Sequence, residues 1–257
     1  VVRDSSDIDM SGISAHIVEV FSSLQGEGLY AGIPMTFVRF GRCSMGCRYC
    51  DTPAGLCQGE ECRVESPPRS QGFEVLENPI MVTKLTEIME PFDDEFVSVT
   101  GGEPLEQVGF LAEWLPAVYP HRRVLLETNG ILHREIERVI QHVNVVSMDI
   151  KPPSSTGRRA RWKEHEAFLR TVVAAGREIY VKLVVTEETT DSDIQRSIGI
   201  VTDVNKYIPM VIQPAAETLT FRCRISEERL RSLERLCSAY LDDVRIMPQM
   251  HKQWGVL

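Results

Sequence analysis

Three thiols within one short loop are the strongest chemical signal in this chain. Cys43, Cys47 and Cys50 lie in Gly41-Arg42-Cys43-Ser44-Met45-Gly46-Cys47-Arg48-Tyr49-Cys50-Asp51-Thr52, with three residues and then two between them. Gly41 and Gly46 let so compact a loop turn, so the three sulfurs can serve one centre without long-range folding. Structural zinc normally takes four protein ligands, and the fourth would have to come from Cys57, Cys62 or a distant residue at unusual spacing. Thiolates also hold four-iron clusters. Three thiolates on four irons leave one iron open to a substrate or cofactor.

Such a loop needs elements to hold it. Apolar, β-rich runs at 35–40, 96–100, 124–128, 145–149, 180–185, 210–213 and 244–247 read as strands. Amphipathic stretches near 82–90, 106–118, 133–142, 161–175, 191–206 and 226–241 read as helices between them. In the last, Ser226 suits the N-cap, Glu227 and Glu228 favour the positive helix end, and Leu230, Leu233 and Leu236 recur at helical spacing. Alternation of this kind predicts an α/β fold with a parallel sheet and outer helices, and about six units make a full or partial barrel. Barrel chemistry gathers at the C-terminal ends of strands. Thr100-Gly101-Gly102-Glu103, Glu127-Thr128-Asn129-Gly130, Ser147-Met148-Asp149-Ile150-Lys151 and Gln213-Pro214 all fall there. The stretch 53–79, rich in Pro, Gly, Glu and Cys, breaks the alternation and reads as an inserted loop or small excursion. One domain over 1–257 is expected, divided into 14–52, the insert 53–79 and 80–257.

Composition narrows the class. The 257 residues carry 28 Lys+Arg against 37 Asp+Glu, a net charge of −9. That balance argues against direct nucleic-acid binding through a broad basic face. No run reaches the roughly 18 apolar residues of a membrane span. The polar, acidic start Val1–Ser14 lacks the pattern of a secretion signal, so a cytoplasmic location is expected. Seven cysteines in such a chain do not form a disulfide framework. Cys57, Cys62, Cys223 and Cys237 read as non-ligating, since a second cluster would need about four converging thiolates.

With Tyr49 before the last cysteine, the loop resembles that of the radical S-adenosylmethionine (SAM) enzymes. The resemblance implies a partial (β/α)6-type barrel, with the insert following the cluster loop, a [4Fe-4S] cluster on Cys43, Cys47 and Cys50, and SAM on its open iron. Val99-Thr100-Gly101-Gly102-Glu103-Pro104 is similar to the motif that binds the methionyl amino group, where glycines admit a ligand and Glu103 accepts from an ammonium. It implies SAM contacts from Tyr49, Asp51, Gly101, Gly102, Glu103, Thr128, Asn129, Ser147, Met148, Asp149 and Gln213. Helix caps and turn residues are the structural alternative for the later strand ends.

The segment ahead of the cysteines narrows the resemblance. Glu19-Val20-Phe21-Ser22-Ser23-Leu24-Gln25-Gly26-Glu27-Gly28, Gly32-Ile33-Pro34-Met35-Thr36-Phe37-Val38-Arg39-Phe40, Cys50-Asp51-Thr52 and Pro248-Gln249-Met250-His251-Lys252-Gln253-Trp254-Gly255 look like the 7-carboxy-7-deazaguanine synthase family of the queuosine pathway. The likeness runs from about Ile17 to Leu257. It implies a lyase acting on 6-carboxy-5,6,7,8-tetrahydropterin: a 5′-deoxyadenosyl radical takes hydrogen from C6, the ring contracts with loss of ammonia, and SAM is regenerated. It implies substrate contacts from Leu24, Gln25, Gly26, Glu27, Arg39, Thr100, His251 and Leu257, and a Mg²⁺ ligand in Thr52. An electron donor such as flavodoxin or ferredoxin and a homodimer follow from the same likeness. The chemistry agrees: Gln25 and Glu27 suit amide and amino edges, Arg39 suits a carboxylate, and a hydroxyl plus substrate oxygens suits Mg²⁺.

Two other readings stay open from the residues. A glycyl-radical activase shares the cysteine loop but should lack the Leu24–Gly28 and Asp51-Thr52 pattern. A zinc-stabilised binding protein would have no turnover. The basic run Gly157-Arg158-Arg159-Ala160-Arg161-Trp162-Lys163 reads as a solvated helix start, or more sharply as a dock for an acidic electron donor.

Overall fold

The computed structural model describes residues 12–52, 55 and 58–255. Its strands are, in chain order, β1 (Ser14–Ala15), β2 (Ile17–Leu24), β3 (Pro34–Phe40), β4 (Glu61–Glu65), β5 (Phe73–Glu77), β6 (Ile80–Met81), β7 (Phe96–Gly101), β8 (Arg123–Thr128), β9 (Val145–Ile150), β10 (Glu178–Val185), β11 (Met210–Pro214) and β12 (Val244–Ile246). Helices α1 (Val82–Met89), α2 (Val108–Val118), α3 (His133–Glu137), α4 (Pro153–Thr156), α5 (Trp162–Ala174), α6 (Asp191–Val204), α7 (Glu227–Ser238) and α8 (Met250–Trp254) complete the order.

One sheet runs β12-β11-β10-β9-β8-β7-β3-β2-β4-β5. β3 and β7 to β12 are mutually parallel, each joined to the next through helical crossovers from β7 onward. The edges β12 and β5 do not pair with each other, so the sheet is an open, partial barrel with outer helices. This is the expected α/β class. Among the described residues, no helix is long and apolar enough to cross a membrane.

Strand alternation sets the two faces of the sheet. Val38, Phe40, Val97, Val99, Val124, Leu126, Val146, Met148, Val181 and Leu183 join the large core that includes the helix residues Leu111, Trp114, Phe168 and Leu169. Phe37, Phe96, Leu125, Val145, Tyr180 and Val211 form a second cluster from the alternate positions. Two residues further along, the same alternation carries Ser98, Glu127, Ser147, Lys182 and Gln213. The inner face is thus apolar near the strand starts and polar near the strand ends. That gradient places the site.

The described part of the insert takes the second of its two expected forms, a small excursion: β4 pairs parallel to β2 and antiparallel to β5, extending the sheet. Its anchors are polar. Buried Asp94 accepts from Ser22 Oγ at 2.6 Å, Thr36 Oγ1 at 2.9 Å and Arg69 Nη2 at 2.7 Å. The single helix expected over 133–142 ends early, because fully buried Val139 leaves helical geometry at φ −126° and a short 3-10 turn, Ile140–His142, follows.

Candidate active site

The cysteine loop hangs from the end of β3 and is braced by the end of β7. Gly41 N donates to His16 O at 2.8 Å, and Gln107 Nε2 donates to Gly41 O at 3.0 Å. Gly102 N donates to Phe40 O and Glu103 N to Arg42 O, both at 2.8 Å. A Cβ on Gly102 would stand 2.1 Å from Gly55 O and 2.2 Å from Arg42 O. Gly101, at φ +123°, would place one 2.3 Å from Phe40 O. The paired glycines therefore admit the backbone of the cysteine loop itself. On the far side, Arg48 donates through Nε to Ser155 O at 2.8 Å and through Nη2 to Ser154 O at 2.6 Å.

Cys43, Cys47 and Cys50 line one cavity of about 220 Å³ at the strand ends. Leu24, Gln25, Gly26, Glu27, Arg39, Tyr49, Asp51, Thr52, Thr100, Gly101, Gly102, Thr128, Asn129, Asp149, Gln213 and His251 line it too. Residues distant in the chain, proposed from separate motifs, thus share one wall. Among the described residues, no three His, Cys, Asp or Glu side chains are close enough together to hold a single metal ion. A four-iron cluster takes each thiolate on a different iron and does not require that closeness. Burial pushes the Cys43 and Cys47 thiols up, so ligation has to draw off their protons. Gln213 Oε1 is buried without a hydrogen-bond partner among the described residues, and Gln213 faces the cavity, as a polar cofactor would require. The thiols and the polar wall beside them fit a four-iron cluster and SAM.

A charge network occupies the rest of the wall. Lys182 Nζ, from β10, lies 2.6 Å from Glu27 Oε2, 3.4 Å from Glu127 Oε2 and 3.5 Å from Asp149 Oδ1. Burial works to lower the Lys182 ammonium, and Asp149, Glu27 and Glu127 outweigh it, holding its pKa well above the ordinary value. Burial likewise pushes the Glu27 carboxyl up, but Lys182, Gln249 and His251 overcome this and bring it down to about 2. Gln25 Nε2 donates to Glu127 Oε1 at 3.2 Å, and Gln25 Oε1 accepts from Glu27 N at 3.1 Å. Arg39 Nε donates to Glu19 Oε1 at 2.8 Å while its side chain lines the cavity.

The C-terminal segment closes one side. Met250 N donates to Gly26 O at 2.8 Å, which seats His251 against Gly26. Gln249 Nε2 donates to Glu27 Oε1 and, at 2.7 Å, to Asp51 Oδ2. Lys252 Nζ reaches Asp51 Oδ2 at 3.4 Å. Asp51 is therefore engaged with this closing segment besides lining the cavity.

Three of the expected SAM contacts lie elsewhere. Glu103 is wholly buried away from the cavity lining, accepting from Leu105 N at 3.2 Å, Thr128 Oγ1 at 2.8 Å and Asn129 N at 2.7 Å. It ties the ends of β7 and β8 together, and burial, outweighing those donors, pushes its pKa up to about 7. Met148 alternates onto the helix side and packs beneath Gly130, whose Cβ would meet it at 2.7 Å. Ser147 is fully buried on the inner face without reaching the lining. Leu257 and Cys57 fall outside the described residues. Cys62 and Cys237 are fully buried core residues. Cys223 packs in a small cluster with Tyr49 and Cys47. Lys182 was not anticipated, nor Gln249 as a bridge, although a lysine in an apolar strand is itself a signal that it must find partners.

Comparison with known proteins identifies the family. The model of the Radical SAM superfamily matches residues 37–200. The 7-carboxy-7-deazaguanine synthase of Geobacter sulfurreducens is 40% identical, covering 96% of this chain and 100% of that one. The synthase of the same name from Methanothermobacter thermautotrophicus is 34% identical, covering 94% of this chain and 98% of that one. The crystal structure of QueE from Escherichia coli shares the fold, with a TM-score of 0.61 at 18% identity over 96% of this chain and 100% of that one. With the cysteine loop, the open barrel and relatives matched along nearly their whole length, the chain belongs to the 7-carboxy-7-deazaguanine synthase family of radical SAM enzymes.

Proposed function

We propose that the chain is a radical SAM carbon–nitrogen lyase converting 6-carboxy-5,6,7,8-tetrahydropterin to 7-carboxy-7-deazaguanine with loss of ammonia. The observation that carries this reading is that the cysteine loop and the Gln25, Glu27, Glu127 and Lys182 network line one cavity. Cys43, Cys47 and Cys50 would hold the cluster, with SAM against the polar wall beside them, and together these groups would supply the radical chemistry that abstracts hydrogen from the pterin and regenerates SAM.

The side chains supply recognition and charge control. Glu27, held ionised, is an acceptor for the amino and ring N–H edge of a pterin. Gln25 offers both an amide donor and an acceptor beside it. Arg39 and His251 suit the substrate carboxylate, and Lys182 keeps neighbouring carboxylates from repelling one another. Gln213, Thr128, Asn129 and Asp149 suit the polar groups of SAM. The Thr52 hydroxyl, together with substrate oxygens, suits Mg²⁺, which prefers oxygen ligands and retains water. A single radical SAM domain, a homodimer, a cytoplasmic location and a flavodoxin or ferredoxin as reductant belong to the same proposal.

The test is anaerobic incubation of the iron–sulfide-reconstituted protein with SAM, reductant, Mg²⁺ and the carboxypterin. Deazaguanine product is expected. Formation of 5′-deoxyadenosine alone would retain radical chemistry and remove the pterin assignment.

A further inference from the structure

Gln249 joins two parts of the cavity wall that lie apart in the chain. Its Nε2 donates to Glu27 Oε1, in the turn between β2 and β3, and at 2.7 Å to Asp51 Oδ2, beside Cys50. Both partners are carboxylates, which accept, so the amide nitrogen faces them and the carbonyl oxygen is turned elsewhere. Gln249 Oε1 is buried and has no hydrogen-bond partner among the described residues. The residue stands at the N-cap position of α8, yet its side chain makes no capping bond there. A buried amide oxygen left unpaired is costly unless a ligand satisfies it. Gln249 lines the same cavity as Gln25, Glu27, Arg39 and His251.

We infer that Gln249 Oε1 accepts one hydrogen of the pterin's 2-amino group, with Glu27 taking a neighbouring hydrogen, and so selects for that group; the inference rests on the pterin reading of this cavity. Two adjacent acceptors fit an edge that presents several N–H hydrogens, as a 2-amino-4-oxo ring does. They do not fit a 2-oxo ring, which sets an acceptor against acceptors. Neither group is free to turn: Lys182 Nζ holds Glu27 Oε2 at 2.6 Å, and two carboxylates hold the Gln249 amide. A ring without the amino group therefore leaves a buried acceptor unpaired or opposed, which is a strong basis for rejection. The segment carrying Gln249 does not depend on that side chain for its place. On either side of it, Met247 N donates to Ile212 O at 3.0 Å and Met250 N to Gly26 O at 2.8 Å.

The test is equilibrium binding of two unreactive, oxidised ligands, 6-carboxypterin and its 2-oxo counterpart 6-carboxylumazine, to the reconstituted protein with SAM and Mg²⁺. Dissociation constants are compared for wild type, Gln249→Met and Gln249→Glu. Wild type should prefer the pterin, and Gln249→Met should lower that preference by about tenfold. The loss should fall on the pterin, with the lumazine held at least as tightly as by wild type. Gln249→Glu keeps an acceptor in place and should keep the preference. An unchanged preference in Gln249→Met, even with both ligands bound more weakly, would overturn the inference and leave the side chain only a brace for the closing segment. Loss of the preference in Gln249→Glu would overturn it too. Wild type that binds neither ligand and forms no product from the carboxytetrahydropterin would instead refute the pterin reading beneath it.

Discussion

Lys182 Nζ lies 2.6 Å from Glu27 Oε2, joining the middle of β10 to a turn 155 residues earlier in the chain. The contact explains how carboxylates from the β2–β3 turn, β8 and β9 share one buried wall. Burial alone would push the Glu27 carboxyl up, and the Lys182 ammonium overcomes that push. One ammonium thus serves as the common ion-pair partner of all three carboxylates.

Replacing that ammonium should therefore cost more than one contact. Lys182→Met leaves Glu27, Glu127 and Asp149 without their common counter-charge, and removing one partner of a buried ion pair costs about 3–5 kcal/mol. Urea unfolding should show that loss at neutral pH, and the Glu27 carboxyl should move upward. Product formation should fall much further than SAM cleavage measured without pterin. A variant as stable as wild type would mean the network contributes no net charge compensation.

His165 gives the structure an acid-sensitive support. Its Nε2 pairs with Asn129 O at 3.2 Å, and burial lowers its pKa from 6.5 to about 4. The folded value lies below the unfolded one, so between those values the unfolded chain binds more protons. Stability should fall as pH drops through that window, by about 3 kcal/mol at its acid end. His165→Gln can keep the bond to Asn129 O without titrating. The difference between the two proteins' unfolding free energies should shrink with acidification, and a constant difference would contradict the assignment.

The cysteines should divide by place. Cys47→Ala should abolish SAM cleavage and leave reconstituted protein with less iron. Cys237 is fully buried in the core, and burial pushes its thiol up to about 12, so it acts as a small apolar residue. Cys237→Ala should lose about 1 kcal/mol of stability and retain cleavage. Equal loss of cleavage in both variants would show that the ligands are misassigned.

Gly26 should govern how the C-terminal segment seats. A Cβ there would stand 2.2 Å from His251 Nδ1, while Gly26 O accepts from Met250 N at 2.8 Å. Gly26→Ala should push His251 outward, raising KM for the carboxypterin by about tenfold, equivalent to roughly 1.4 kcal/mol of lost substrate binding. SAM affinity should change little. A variant with unchanged KM would remove His251 from the substrate's surroundings.

Much of the fold was legible because the repeated strands are buried on both faces and read as apolar runs. β4 and β5 were not, since Glu61-Cys62-Arg63-Val64-Glu65 and Phe73-Glu74-Val75-Leu76-Glu77 are short, charged and flanked by turn residues. β4 pairs with β2, which lies far away in sequence, and long-range pairing leaves no local signal. The cysteine loop was legible because its ligands are contiguous. Glu103 was harder: a glutamate after two glycines can face a ligand or the next strand, and here the donors of Thr128 and Asn129 capture it. Lys182 emerged only when topology set β10 beside β9 and within reach of Glu27.

The central claim is that one cavity couples radical SAM chemistry to pterin ring contraction. It is tested most directly by anaerobic turnover with limiting SAM, Mg²⁺ and carboxypterin deuterated at C6, followed by mass analysis of the purine and of recovered SAM. The expected result is 7-carboxy-7-deazaguanine in excess of the SAM supplied, with deuterium entering the recovered SAM. Accumulation of 5′-deoxyadenosine with the pterin unchanged and its deuterium retained would contradict it.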